Sequence, residues 1–210
     1  MAASLLVLIS GSGSNLQAII DATQSGILKD KAVVKHVLSN RKKAFGLERA
    51  AKAGIPTSVH TLLPYKKEHG DEEGRRLFDE ELGRQLVEHN PSLIVCAGWM
   101  HILSPIVLNQ LSAHNIPIIN LHPALPNAFN GIHAIERAYE ASRQGKINET
   151  GCMVHWVIAE VDGGKPIAIQ RIPITQDDTV DSLEAKIHAE EHKLLVQAIH
   201  DIVTGAVPRP

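Results

Sequence analysis

Apolar strand-like runs and amphipathic helix-like segments alternate along this chain, and that alternation restricts its fold more than any other feature. Ser4–Ser10 is a continuous apolar run. Ser14–Ser25 places Leu16, Ile19 and Ile20 at helical spacing. Ala32–Ser39 reads as a second strand, Ala44–Ala53 as a helix ended by Gly54, and Ile55–Leu62 as a short third strand before Pro64. Lys66–Gly74 is polar and is expected to be a mobile loop. Arg75–His89 is an amphipathic helix stopped at Asn90-Pro91. Strands at Ser92–Ala97 and Ile116–Leu121 bracket a helix at Pro105–Ala113, and a helix at Ile132–Gln144 follows. Cys152–Ala159 and Lys165–Ile174 read as strands joined through Asp162-Gly163-Gly164, before a last helix from Thr179 to Val203. Unbroken apolar strands separated by helices imply strands covered on both faces. The expected fold class is therefore α/β: a mostly parallel twisted, Rossmann-like sheet with helices on both faces and a C-terminal antiparallel hairpin, in one domain over residues 1–210.

The chain is 44% hydrophobic with a formal charge of −2, which gives no basic excess to hold nucleic acid. No apolar run reaches membrane-spanning length, so no membrane partner is expected. Leu5–Ile9 has no basic residues before it, and it reads as a strand rather than a signal peptide. Both cysteines, Cys96 and Cys152, lie in apolar stretches, as in a reducing compartment. A cytoplasmic location is expected.

Four stretches carry chemistry. Ser10-Gly11-Ser12-Gly13-Ser14-Asn15 joins the first strand to the first helix, where exposed N–H groups and the helix dipole suit an anion. No Gly-Lys-Ser/Thr follows, Leu16 stands at the third glycine of a dinucleotide fingerprint, and the second strand ends in Ser39-Asn40-Arg41 without an acid for a ribose diol. A phosphate monoester is the simplest ligand; a tight turn with no ligand is the alternative. A Cβ at Gly13 is expected to block close approach of that phosphate.

In Asn120-Leu121-His122-Pro123-Ala124-Leu125-Pro126, an amide and an imidazole two residues apart share one face of an extended segment. The first can donate to an oxyanion and the second can carry a proton near neutral pH. Asp162, in Glu160-Val161-Asp162-Gly163-Gly164, is either a turn residue or their carboxylate partner. Cys96–Pro105 leaves a strand into Trp99, Met100, Ile102 and Leu103, which suits either ordinary core or the wall of a pocket for a flat heterocycle. His188-Ala189-Glu190-Glu191-His192 fits an H-x-x-E-H zinc pattern, but no glutamate follows Glu191 as a third ligand. No metal is expected.

Taken together, these stretches resemble the phosphoribosylglycinamide formyltransferase family. The matching pieces are Val7–Ile19, Ala44–Ala50, Ala97–Met100, Ile102–Pro105, Asn120–Pro123, Val154-His155, Val161–Gly164 and Glu191-His192, in order over nearly the whole chain. Gly151–His155 and the single leucine between His122-Pro123 and Pro126 look most like fungal members.

The resemblance implies a Rossmann-like formyltransferase fold and transfer of a formyl group from 10-formyltetrahydrofolate to the glycyl amine of 5-phosphoribosylglycinamide, in purine synthesis. It implies Asn120, His122 and Asp162 as the catalytic trio. Gly13, Ser14, Asn15 and Glu191 would hold the phosphoribosyl substrate. Met100, His101, Ile102, Leu103, Asn120, Ile158, Ala159, Glu160, Val161 and Asp162 would wall the folate pocket, with Arg75 near the folate tail. The co-substrate is the formyl-folate and no metal is implied; oligomeric state is not fixed. Two residues depart from well-known bacterial members: His101 stands for an arginine and Met153 for a common serine. Asp162 is expected to raise the imidazole pKa of His122 and to orient it.

Three rivals remain at this level. A formyl-folate hydrolase shares the chemistry, but such relatives usually carry an N-terminal regulatory domain. The transferase acting on initiator methionyl-tRNA carries an extra basic C-terminal domain, for which this chain has no residues. A non-catalytic nucleotide-binding module would keep the glycine loop but would not need Asn120, His122 and Asp162 together.

Overall fold

A computed structural model describes residues 1–209. Seven strands form one sheet: β1 (Ala3–Ile9), β2 (Ala32–Ser39), β3 (Thr57–Val59), β4 (Leu93–Cys96), β5 (Ile118–His122), β6 (Glu149–Trp156) and β7 (Pro166–Pro173). Their order across the sheet is β3-β2-β1-β4-β5-β6-β7. The first five are parallel, while β6 runs antiparallel to β5 and β7 antiparallel to β6. The helices are α1 (Ser14–Gln24), α2 (Phe45–Lys52), α3 (Leu62–His69), α4 (Asp71–Glu88), α5 (Pro105–Ala113), α6 (Ala134–Arg143) and α7 (Val180–Val203).

Alternate residues of β1 explain the two packed faces. Leu5, Val7 and Ile9 join Leu16, Ile19 and Ile20 of α1 and Leu195, Ile199 and Ile202 of α7. Leu6 and Leu8 join Phe78, Leu82 and Leu86 of α4 and Val107 and Leu111 of α5. The expected antiparallel end of the sheet is present, but β6 stops at Trp156. Residues 157–165 therefore form a loop rather than a tight turn, and Ile158 and Ala159 lie in it instead of in the strand.

Two expectations need correction. Residues 66–74 are helical, divided between α3 and α4 at Gly70, whose φ is 80°. Asp71, Glu72 and Glu73 occupy the first turn of α4, where their charges favour the helix N-terminus, and Lys66 pairs with Asp71 at 2.8 Å. The polarity that reads as a loop is thus a helix start. The third strand is only three residues long, because it is an edge strand paired to β2 alone.

On β2, His36 stacks on His89, with ring centroids 4.0 Å apart, and its Nε2 lies 2.8 Å from Ser58 Oγ. Burial first, and then the neighbouring imidazole, pull the His36 pKa down from 6.5 to about 4. The unfolded chain would accept a proton that the folded chain refuses. This contribution to stability is therefore complete above pH 6.5 and is lost as pH falls towards 4. His36→Gln, which does not titrate, should flatten the fall of Tm across that window. Identical slopes in wild type and variant would show that the stack does not matter.

The strand order places β1 between β2 and β4, so successive crossovers leave β1 in opposite directions. Such switch points open a crevice at the carboxyl ends of the strands. Ser10–Asn15, Ala97–Leu103 and the segment after His122 all leave the sheet at this edge.

Candidate active site

Asn120 and His122 lie two residues apart on β5. β6 pairs with β5 so that His155 is directly opposite Asn120 and Met153 opposite His122. The 157–165 loop returns Asp162 to the same place. Its backbone is left-handed (φ 55°), and its Oδ2 accepts from Gly131 N–H at 2.8 Å. Gly164 makes the return possible: a Cβ there would sit 1.6 Å from the Trp156 carbonyl oxygen.

The three nominated residues converge. His122 Nδ1 is 3.4 Å from Asp162 Oδ2, and Asn120 Nδ2 is 3.4 Å from Asp162 Oδ1. His155 joins them, with Nε2 3.2 Å from Asn120 Nδ2 and 3.6 Å from Asp162 Oδ1. Its Nδ1 faces the Trp156 carbonyl at 3.0 Å and donates to it, so Nε2 can accept from the Asn120 amide. In this arrangement the Asn120 amide nitrogen is turned towards His155 and Asp162; donation to an oxyanion requires one of these long contacts to be exchanged. Sequence reasoning named His155 only within a matching motif. Its place beside Asn120 follows from the β5–β6 register, which no local pattern reveals.

Burial is the largest influence on His122 and lowers its pKa below 6.5. The opposing Asp162 charge raises it, His155 lowers it further, and the Ala128 and Phe129 carbonyls raise it. Asp162 acts on this pKa with the expected sign, but desolvation is larger and sets the net direction. His122 is therefore neutral at pH 7. Its Nδ1 faces the carboxylate, and its Nε2 is buried without a hydrogen-bond partner. Burial also pushes the Asp162 carboxyl up, but the Gly131 N–H bond and the imidazoles of His155 and His122 beside it outweigh that, and the carboxyl pKa lies below its ordinary value.

A tightly wound loop covers His122. Asn127, Phe129 and His133 all have left-handed backbones, with φ of 63°, 52° and 57°. Residues held in this region cluster where function over-determines them. Arg137 of α6 holds the turn, donating to the Phe129 carbonyl and to the Asn130 and His133 carbonyls at 2.7 and 3.3 Å. Arg137→Ala should lower kcat by on the order of ten- to a hundred-fold through misplaced His122 surroundings. Steady-state kinetics at saturating substrates check this, and unchanged kcat would detach the loop from catalysis.

Gly13, Ser14 and Asn15 form the start of α1. Gly13 is the N-cap in left-handed conformation (φ 72°), and no side chain caps the helix, so its first N–H groups have no capping acceptor. A Cβ at Gly13 would lie 2.5 Å from Gly46 Cα of α2. The glycine is thus required by packing against backbone, independently of any ligand's approach. Asn15 is buried, and its Nδ2 reaches Glu191 Oε2 of α7 at 3.4 Å. Burial raises the Glu191 pKa, against the charge of His188 and the Asn15 bond. His188 Nε2 is 3.9 Å from Glu191 Oε2. The H-x-x-E-H pattern therefore contributes Glu191 to the anion-loop end of the crevice.

The nominated folate wall lies on both sides of the β5 end. Met100 and Ile102 follow β4 and are 68% and 62% exposed; Ile158 and Val161, in the loop after β6, are 46% and 39% exposed. Ala159 and Glu160 are exposed beside them, and Leu103 is buried. Exposed apolar side chains gathered around polar groups are the mark of a ligand site. Arg75 and His101 are engaged elsewhere: Arg75 Nε and His101 Nε2 both reach the Asp79 carboxylate, at 2.7 and 3.2 Å.

An uncapped helix N-terminus, an amide–imidazole–carboxylate group and exposed apolar side chains, all at the carboxyl ends of the strands, suit transfer of a small acyl group to an amine. The chain belongs to the formyl transferase family, whose profile matches residues 3–199. It is 70% identical to a phosphoribosylglycinamide formyltransferase of Schizosaccharomyces pombe over 97% of this chain and 99% of that protein. It is 38% identical to the Escherichia coli protein of the same name, over 91% of this chain and 82% of that one. A glycinamide ribonucleotide transformylase 1 from Symbiobacterium toebii has the same fold, with TM-score 0.84 and 34% identity over 97% of this chain and 89% of that one.

Proposed function

We propose that this chain transfers the formyl group of 10-formyltetrahydrofolate to the glycyl amine of 5-phosphoribosylglycinamide, giving the N-formyl product and tetrahydrofolate for purine synthesis. The observation that carries this reading is the convergence of Asn120, His122 and Asp162 at the strand ends that also carry the uncapped N-terminus of α1 and the exposed apolar side chains of Met100, Ile102, Ile158 and Val161. The 70% identity to a protein of that name supports the same choice of substrates.

In this proposal the first N–H groups of α1 receive the substrate phosphate, and Glu191 with Asn15 holds the neighbouring polar groups. Met100, Ile102, Ile158 and Val161 contact the flat face of the folate. The amine attacks the formyl carbon and negative charge gathers on the formyl oxygen. Asn120 turns an amide N–H to that oxygen. Neutral His122 accepts the amine proton at Nε2, and Asp162 stabilises the imidazolium that results. The same proton then passes, directly or through water, to the departing folate nitrogen. These steps use protein groups alone and require neither a metal nor a covalent enzyme intermediate. The whole chain acts as one formyltransferase unit. We place its action in the cytosol; the two buried free thiols, Cys96 and Cys152, suit a reducing compartment. No helix among the described residues is long and apolar enough to cross a membrane.

Dropout assays test the substrate pair. Folate product should accumulate, read by absorbance, only when both substrates are present. Turnover without the glycinamide would make the chain a hydrolase. A pH profile tests the base. Because the His122 pKa is lowered, kcat should fall only on the acid side, with a midpoint below 6.5, and be flat at neutrality. A midpoint above 7 would contradict a buried, neutral imidazole.

A further inference from the structure

Asp79 lies on α4, away from the catalytic trio in sequence, and is 1% exposed. A carboxylate this deeply buried must be paired or hydrogen-bonded. Its Oδ2 accepts from Arg75 Nε at 2.7 Å and its Oδ1 from His101 Nε2 at 3.2 Å. A carboxylate only accepts, so the His101 proton facing it is on Nε2. Burial pushes the Asp79 carboxyl up, but these partners outweigh it and the group is ionised. Arg75 spans the gap: its Nη2 donates to the Ile102 carbonyl at 2.6 Å. The His101 ring also meets Phe78 edge-on, with centroids 4.8 Å apart. At the other end of the segment, Met100 N–H donates to Ser10 Oγ at 2.7 Å. The strand-end segment carrying Met100 and Ile102 is thus tied to Ser10, just past β1, and to α4 both directly through Arg75 and through the buried Asp79 carboxylate that holds Arg75 and His101.

We infer that Asp79 is a positioning residue for formyl-folate: through Arg75 and His101 it fixes residues 100–103 from behind, so that their backbone and apolar side chains stand as one wall of the folate slot. This rests on the formyl-transfer reading above. It gives His101 a role that an arginine can also fill, since both side chains offer the buried carboxylate an N–H donor. It also assigns Arg75 to bracing the wall, whatever else its exposed edge touches.

The test separates the two substrates. In the full-length protein, Asp79→Asn keeps shape and removes charge. His101→Leu removes the donor, and His101→Arg replaces it. Asp79→Asn and His101→Leu should each raise KM for 10-formyltetrahydrofolate by about ten-fold or more, the loss expected for a charged hydrogen bond. KM for 5-phosphoribosylglycinamide should change less than about two-fold, because the α1 loop is untouched. His101→Arg should recover most of the folate KM. Calorimetric Kd values for a non-reactive folate analogue should follow the same order. If Asp79→Asn does not fold, the two His101 variants decide. Equal changes in both KM values, an unchanged folate KM, or no difference between Arg and Leu at position 101 would overturn the inference. A wild-type chain that binds the analogue but transfers no formyl group would instead refute the function; one that does not bind it would refute both.

Discussion

His122→Ala is expected to lower kcat by about a hundred- to ten-thousand-fold, the usual contribution of a positioned acid–base group. Folate KM should move far less, because the imidazole is buried and the exposed apolar side chains assigned to the folate are untouched. Asp162→Asn is the informative companion. Asparagine tolerates the left-handed backbone at φ 55° and keeps an oxygen for Gly131 N–H, so the loop stays folded while the charge is lost. The His122 pKa should then fall further, since the one nearby carboxylate that raises it is gone. Its kcat should also drop far more than folate binding weakens. The double variant should lose less than the product of the two single effects, because the carboxylate acts through the imidazole. Near-normal kcat in His122→Ala would sink the mechanism, and fully multiplicative losses would break the coupling.

Gly13→Val should be the most damaging substitution outside the trio, and its first effect should be on stability. A left-handed backbone costs an L-residue about 1–2 kcal/mol, and more when it is β-branched. Forcing a side chain into packed space adds about 1–3 kcal/mol. The obstacle here is Gly46 Cα, 2.5 Å from the new Cβ, and backbone cannot swing aside as a side chain can. Gly46 N–H also donates to the Gly11 carbonyl, so displacement of α2 would disturb the anion loop itself. Tm should fall by on the order of 10 °C, with a raised KM for the phosphoribosyl substrate in whatever protein remains folded. An unchanged Tm with only KM affected would show that the role of this glycine is purely ligand-facing.

The sheet was legible because its central strands are buried on both faces and write unbroken apolar runs. Ala32–Ser39 and Pro105–Ala113 were bounded correctly from pattern alone. The first turn of α4 was not, because Asp71, Glu72 and Glu73 at a helix start have the composition of a loop. Asn120 and His122 stand out through two-residue spacing after a strand; Asp162, beside two glycines, reads locally as a turn residue as readily as a partner, and it is the resemblance that nominates it. His155 did not, because its meeting with Asn120 is a fact of strand register. The net direction of the His122 pKa is hidden for a related reason: the carboxylate that raises it is visible in sequence, but the burial that outweighs it is not. The resemblance placed Arg75 near the folate tail; that it also braces the Ile102 carbonyl requires knowing that Asp79 is buried between two elements.

The most direct test follows the formyl carbon itself. Wild-type protein at neutral pH, given 10-formyltetrahydrofolate labelled in the formyl group together with unlabelled 5-phosphoribosylglycinamide, should place the label on the glycyl nitrogen, with one tetrahydrofolate released per product. His122→Ala should leave the label on the folate over the same interval. Label recovered as free formate, or transferred equally well without His122, would contradict formyl transfer by the Asn120–His122–Asp162 group.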